Sequence, residues 1–244
     1  MKFVTKTDVG KKRTNNEDCF FAKEYNENIS LFIVADGLGG YEGGEIASKM
    51  LTLKVARYFE EHIEDDFKKC EIVEEILKEA LVQSNSQIYA LEKSNSKYQG
   101  MGTTVIMVAI LYGKIYYASV GDSRLYYIDN NMTNISQITE DDTYVNTLLK
   151  TNVIEKSEVE NHPQKHILTK AIGVFKDISV NVKELKQDKG YLLLCTDGLT
   201  NMLNDNEILK LLKQNDFDKI ADLYIKKAND NGGVDNTTVI VVEL

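Results

Sequence analysis

Leu31-Phe32-Ile33-Val34-Ala35-Asp36-Gly37-Leu38 is the stretch on which the reading of this chain turns. Its apolar run is continuous, as in a strand buried on both faces, and it stops abruptly at Asp-Gly. Leu192-Leu193-Leu194-Cys195-Thr196-Asp197-Gly198-Leu199 repeats the pattern. Asp-Gly is a strong hairpin signal, but a hairpin needs a second strand immediately. Asp36 leads instead into Gly39-Gly40-Tyr41-Glu42-Gly43-Gly44 and a helical pattern, and Asp197 leads into another helical segment. The competing reading is that two core strands deliver carboxylates to one end of a sheet. Bare carboxylates placed there repel one another and resist desolvation, so they need hydrogen bonds or cations.

Outward from these stretches, strand-like patterns occupy residues 2–7 and 18–25, and amphipathic helical patterns cover 44–62 and 71–93. In the second helix Val73, Ile76, Leu77, Ala80, Leu81, Ser84, Ile88 and Leu91 share one face. Strands follow at 103–111, 114–120 and 124–128, and a turn at Asp129-Asn130-Asn131 leads to a further short strand. Residues 140–164 are polar and weakly periodic, which predicts an excursion of loops and short helices. Strands resume at 178–182 and 191–197, helices at 205–213 and 217–228, and a last strand at 237–243. Blocks of strands and blocks of helices indicate an α+β fold with helices covering sheet faces. Pro163 is the single proline and no Gly/Ser-rich linker appears, so 1–244 is read as one domain.

Three more acidic sites join the first two. Asp235 stands just before an apolar strand in Gly233-Val234-Asp235-Asn236-Thr237. Asp122, in Gly121-Asp122-Ser123-Arg124, lies between two strands and taken alone reads better as a turn residue. Arg13-Thr14-Asn15-Asn16-Glu17-Asp18 taken alone is a solvated loop. Carboxylates and carbonyls without a Cys/His set suit hard octahedral cations, Mg²⁺ or Mn²⁺, rather than Zn²⁺. His162 and His166 lack the glutamate of a zinc-protease motif and read as ordinary polar histidines. The glycine-rich segment has Glu42 where a dinucleotide fingerprint needs its last glycine, and there is no phosphate loop.

Asp+Glu outnumber Lys+Arg by 38 to 29, a net charge of −9. That balance argues against a nucleic-acid or anionic-membrane partner, which usually meets a basic face. No apolar run suits a membrane span or a signal peptide. Cys19, Cys70 and Cys195 have no pairing or metal spacing, which predicts reduced thiols and a cytoplasmic setting. A thiol-based phosphatase would carry Arg six positions after its Cys; those positions hold Tyr25, Ile76 and Asn201.

Taken together and in order, these motifs resemble the metal-dependent protein phosphatase (type 2C) family, in particular its stand-alone bacterial Ser/Thr phosphatases. The matching segments are Thr7-Asp8-Val9-Gly10, Arg13 with Asn16-Glu17-Asp18, Val34 to Gly40, Gly100-Met101-Gly102-Thr103-Thr104, Gly121 to Arg124, Cys195 to Thr200 and Gly233 to Thr237. Each is weak alone, but their order over nearly the whole chain is specific. The resemblance implies a four-layer α-β-β-α sandwich with a metal site at one end of the central β-sandwich.

It further implies two to three Mn²⁺ or Mg²⁺ ions. Asp36 would bridge two of them, with the Gly37 carbonyl, Asp197 and Asp235 as the other direct ligands. Glu17 and Asp18 would hold metal-bound waters, and Asp122 with Asp197 a third ion. Arg13 would bind the substrate phosphate. The implied reaction is hydrolysis of phosphoserine and phosphothreonine in proteins by direct attack of a metal-bridging hydroxide, opposing a Ser/Thr protein kinase. Leu38 stands where many eukaryotic members have a His proposed as the general acid, so a metal-bound water is the expected acid here. Residues 140–164 match the family's variable flap. A monomer is the expected state. Two alternatives stay open at this point: a catalytically silent phosphoprotein-binding module, and a phosphatase dedicated to one regulatory protein.

Overall fold

The computed structural model describes residues 1–39, 43–63, 67, 72–159 and 161–244. Gly40, Tyr41 and Glu42 of the glycine-rich segment, Cys70, Glu71 at the expected start of the second helix, and Glu160 lie outside them. The chain begins with β1 (Lys2–Asp8), β2 (Asp18–Asn26) and β3 (Ile29–Leu38), followed by α1 (Gly43–Glu61) and α2 (Val73–Ser94). Strands β4 (Gly102–Thr103), β5 (Val105–Leu111), β6 (Lys114–Val120), β7 (Arg124–Ile128) and β8 (Ile135–Gln137) come next. The polar excursion carries two short helices, α3 (Tyr144–Lys150) and α4 (Lys156–Val159). Then come β9 (Lys183–Leu185), β10 (Tyr191–Cys195), α5 (Asp197–Thr200), α6 (Asp205–Gln214), α7 (Ile220–Asp230) and β11 (Thr237–Glu243).

The strands form two antiparallel sheets, ordered β1-β11-β10-β7-β8 and β2-β3-β5-β6-β9, with β4 beside the end of β3. Alternation along each strand sorts the side chains into three apolar layers. Phe32, Val34, Ile106, Val108, Leu192, Leu194, Ile240 and Val242 meet between the sheets. Leu31, Ile33 and Ala35 face the other way, onto Leu51, Val55, Leu77 and Leu81 of α1 and α2. Leu193, Val239 and Val241 pack against Ile208, Leu212, Tyr224 and Ile225 of α6 and α7. Each fully buried side chain of this kind contributes about 1.5–3 kcal/mol. Helices on sheet, sheet on sheet, and helices again make the four α-β-β-α layers, the α+β arrangement expected from the sequence.

Local chemistry sets several boundaries. Asn204 and Glu207 form a capping box that starts α6, each side chain accepting from the other's backbone N–H at 3.1 Å. The strand expected at 191–197 stops at Cys195, because Thr196 takes the N-cap position of α5. The strand expected at 178–182 is a correction. Its apolar residues Ile178, Val180 and Val182 are taken up by the α1/α2-side core, while ladder pairing begins at Lys183, opposite Tyr117 of β6.

Candidate active site

The same alternation delivers the carboxylates. Phe32 and Val34 face the opposite sheet, so Asp36, next on that parity, lies at the inter-sheet end of β3. Phe20 and Ala22 put Asp18 of β2 on the same face, where it is the direct ladder partner of Asp36. From the other sheet, the parity of Leu192 and Leu194 continues to Thr196, and that of Ile240 and Val242 to Thr238. Both hydroxyls donate to Asp18 Oδ2, at 2.9 and 2.7 Å. Asp18 Oδ1 is buried and has no hydrogen-bond partner among the described residues.

The end of β3 is held by its neighbours. Thr104 N donates to Asp36 O at 2.8 Å, Asp36 N donates to Thr104 Oγ1 at 3.0 Å, and Thr103 Oγ1 donates to Asp36 O at 2.9 Å. Gly37 N donates to Glu17 O at 3.1 Å. A Cβ at Gly37 would overlap the Gly44 carbonyl and reach 2.6 Å from Glu17 O, so close backbone approach demands glycine there. Both Asp-Gly pairs thus depart from the hairpin reading: Asp36-Gly37 continues a strand, and Asp197-Gly198 opens a helix.

Asp197 stands in the first turn of α5, where Asn201 Nδ2 donates to its Oδ2 at 3.0 Å. Asp235, just before β11, accepts from Arg13 Nη2 at 2.9 Å. Asn236 ties the surrounding loops together, donating to Val9 O and Asn15 O at 2.9 Å and accepting from Glu17 N at 2.8 Å. Asp122 sits on the turn by which the chain crosses from β6 in one sheet to β7 in the other. The turn expected there is present, and the carboxyl it carries is within the electrostatic reach of Asp197 and Asp141.

These groups share one field. Burial, followed by the charges of Asp18, Asp197, Asp122 and Asp235, pushes the Asp36 carboxyl well above the usual carboxylate range. Burial pushes Asp18 up to about 7, against the two threonine hydrogen bonds. Burial and then Asp197 push Asp122 up to about 7. Asp197 is raised by burial and by Asp235, and Glu17 is raised by burial against the pull of Arg13. Among the described residues no three Asp, Glu, His or Cys side chains are closed into a ready ligand cage. The carboxyls are nevertheless near enough to raise one another, and Asp18 Oδ1 lacks a donor among the described residues. A hard divalent cation meets both deficits, so the all-oxygen donor set fits such an ion.

His166, set aside in the sequence as an ordinary histidine, lies close enough to Asp197 to oppose the rise of that carboxyl. Thr104, Thr196, Thr238 and Asn236 were also missed as site-building residues. Thr104, Thr196 and Asn236 stand inside the segments that carry the resemblance, and Thr238 lies just beyond one, but none of those segments announces which hydroxyl or amide meets which carboxyl. Cys195 is buried, and burial pushes its thiol up to about 12, which removes it as a thiolate nucleophile.

The family model for protein phosphatase 2C matches residues 9–236. The chain belongs to the protein phosphatase 2C family. This phosphatase is 38% identical over 240 residues to the serine/threonine phosphatase stp of Listeria welshimeri, covering 98% of this chain and 94% of that one. Among solved structures, Stp1 from Staphylococcus aureus superposes with a TM-score of 0.89 at 35% identity, over 100% of this chain and 94% of the other. The catalytic domain of the phosphatase PstP, solved in complex with 2 manganese ions, gives 0.82 at 28% identity over 99% and 97%. The fold and enzyme class expected from the sequence both hold.

Proposed function

We propose that this protein serine/threonine phosphatase hydrolyses phosphoserine and phosphothreonine in proteins at the Asp36 end of the β-sandwich, using divalent metal ions. The convergence of carboxyls from β2, β3, α5 and the approach to β11, close enough to raise one another, carries this reading. Asp36 would bridge two Mn²⁺ or Mg²⁺ ions, with the Gly37 carbonyl, Asp197 and Asp235 as further direct ligands. Glu17 and Asp18 would act through water, and Asp122 with Asp197 would hold a third ion. Bound dications supply Lewis acidity, lowering the pKa of water and offsetting charge on phosphoryl oxygens.

The chain's own groups supply the rest. Arg13 is half exposed beside Asp235, so its remaining guanidinium N–H groups are available to a phosphoryl oxygen pair. Thr196 and Thr238 hold one oxygen of Asp18 and leave the other free to orient a water. With no thiolate at Cys195, direct hydrolysis without a phosphoenzyme is the consistent route. A phosphoserine or phosphothreonine ester is made by a Ser/Thr protein kinase, so the reaction opposes that class. We read 1–244 as one catalytic domain, monomeric and cytoplasmic, with 140–164 as its flap. The test is turnover of a phosphothreonine peptide with added Mn²⁺. Activity should vanish in Asp36→Ala and Asp197→Ala and under excess chelator. Undiminished activity in any of these overturns the proposal.

A further inference from the structure

The excursion at 140–164 is fastened to the Asp122 turn by one partly buried ion pair. Arg124, two residues after Asp122, turns the edge of its guanidinium to Asp141. Nε donates to Oδ1 and Oδ2 at 3.0 and 3.1 Å, and Nη2 donates to Oδ2 at 2.7 Å. The remaining arm, Nη1, donates to the Tyr126 hydroxyl at 3.1 Å, and Gln137 Nε2 donates to Asp141 Oδ1 at 2.8 Å. The two side chains are only 29% and 17% exposed, so salt and water screen this pair far less than a surface pair.

The next residue continues the attachment. Asp142 N donates to Gly121 O at 2.8 Å, and Gly121 N donates back to Asp142 Oδ2 at 3.3 Å. The returning limb joins at the same place: Thr169 N donates to Asp142 O at 2.7 Å, and Lys170 Nζ lies 3.1 Å from Asp142 Oδ1. Further out, Tyr144 N donates to Ile167 O at 2.8 Å, and Asn146 of α3 donates to Asp141 O at 2.7 Å. Both limbs therefore meet on Asp142, which is itself bonded to Gly121, the residue before Asp122. The turn is tied in its own right to Asp36, since Ser123 Oγ and Thr104 Oγ1 are 2.7 Å apart and Thr104 Oγ1 accepts the Asp36 N–H.

We infer that Arg124 is a positioning residue which, through Asp141, sets where the 140–164 excursion stands against Asp122, and so how a substrate chain beyond the phosphate is received. A lysine would keep the charge at this position but not the fork that grips both oxygens while a third arm holds Tyr126. The kinetic half of the inference rests on the phosphatase reading, whereas the structural half does not.

The experiment uses the full chain and three variants: Arg124→Lys, Asp141→Asn, and the paired Arg124→Met/Asp141→Leu, which leaves no orphaned charge. Amide hydrogen exchange at Asp142, Tyr144 and Thr169 should accelerate about tenfold or more, while amides of β5 change by less than about twofold. With saturating Mn²⁺, the KM for a phosphothreonine peptide should rise about tenfold while that for a small aryl phosphate moves less than about twofold. Arg124→Lys should fall between wild type and the paired variant. Unchanged exchange in the excursion, or equal losses on both substrates, overturns the inference. If the wild type turns over neither substrate, the phosphatase reading fails instead, and the exchange data alone decide whether the clamp exists.

Discussion

Asp18 and Asp36 are direct partners across the antiparallel ladder of β2 and β3, on the face between the two sheets. Two carboxyls facing each other on one rung cannot both ionise freely, and Asp197 and Asp235 add to the same field.

This sets a pH dependence for the chelator-treated protein. Asp18 titrates from an ordinary value of 3.8 up to about 7 in the fold, burial being the main cause, and Asp36 is raised further by Asp18. A raised carboxyl makes the native state hold more protons than the unfolded chain, so stability falls as pH climbs through that window. The Tm in excess chelator should drop by ~5 °C or more between pH 5 and 8. Asp36→Asn should flatten the drop. Scanning calorimetry across this range checks it, and a profile equally steep in both proteins counts against the assignment.

Thr238→Val keeps the shape of the side chain and removes one of the two hydroxyls on Asp18 Oδ2. Loss of a buried hydrogen bond to a carboxyl should cost about 1–3 kcal/mol. Because the same hydroxyl orients Asp18, the Mn²⁺ concentration giving half of the metal-induced rise in Tm should increase several-fold. Urea unfolding and a Mn²⁺ titration separate the two effects.

Arg13→Ala should lower kcat/KM for a phosphothreonine peptide by about 10- to 100-fold, mainly through KM, with Arg13→Lys in between. The Arg13 side chain is 53% exposed, so stability should change little. Steady-state kinetics paired with thermal unfolding test this, and a Tm loss matching the activity loss would assign Arg13 a structural role.

A Cβ at Gly198 would overlap the Asn236 carbonyl and reach 2.7 Å from Thr237 Oγ1. Gly198→Ala must therefore push α5 away from the approach to β11, at a cost of about 1–3 kcal/mol or more. Asp197 and Asp235 sit on the two segments being separated, so turnover should fall further than the loss of folded protein explains. Activity measured well below the Tm, at a temperature where the variant is fully folded, checks the prediction.

Much of the fold was legible because its signals are local. The apolar run 31–35 and its twin at 192–195 became core strands, β7 took the expected residues 124–128, and α2 buried the expected face. The strand at 178–182 misled because an apolar stretch can satisfy its side chains by packing without entering a ladder, as Val180 does. Asp122 divided the readings for a similar reason: its sequence is that of a turn, and the charges that act on it, Asp197 and Asp141, stand on segments distant along the chain.

The sequence by itself determined where Asp36 and Asp197 stand, each at the end of a hydrophobic run, because a continuous apolar run and the Asp-Gly that stops it are properties of a few adjacent residues. Only the tertiary structure decided what surrounds them. The threonines that hold Asp18 lie 178 and 220 residues away along the chain, one just past the end of β10 and one on β11, both from the opposite sheet's side of the sandwich. Arg124 and Asp141 are brought together by the pairing of β7 with β8 and the turn of the chain beyond it. Such contacts depend on how two sheets pack face to face, and that packing is set by the whole apolar layer between them rather than by any stretch that could be read alone.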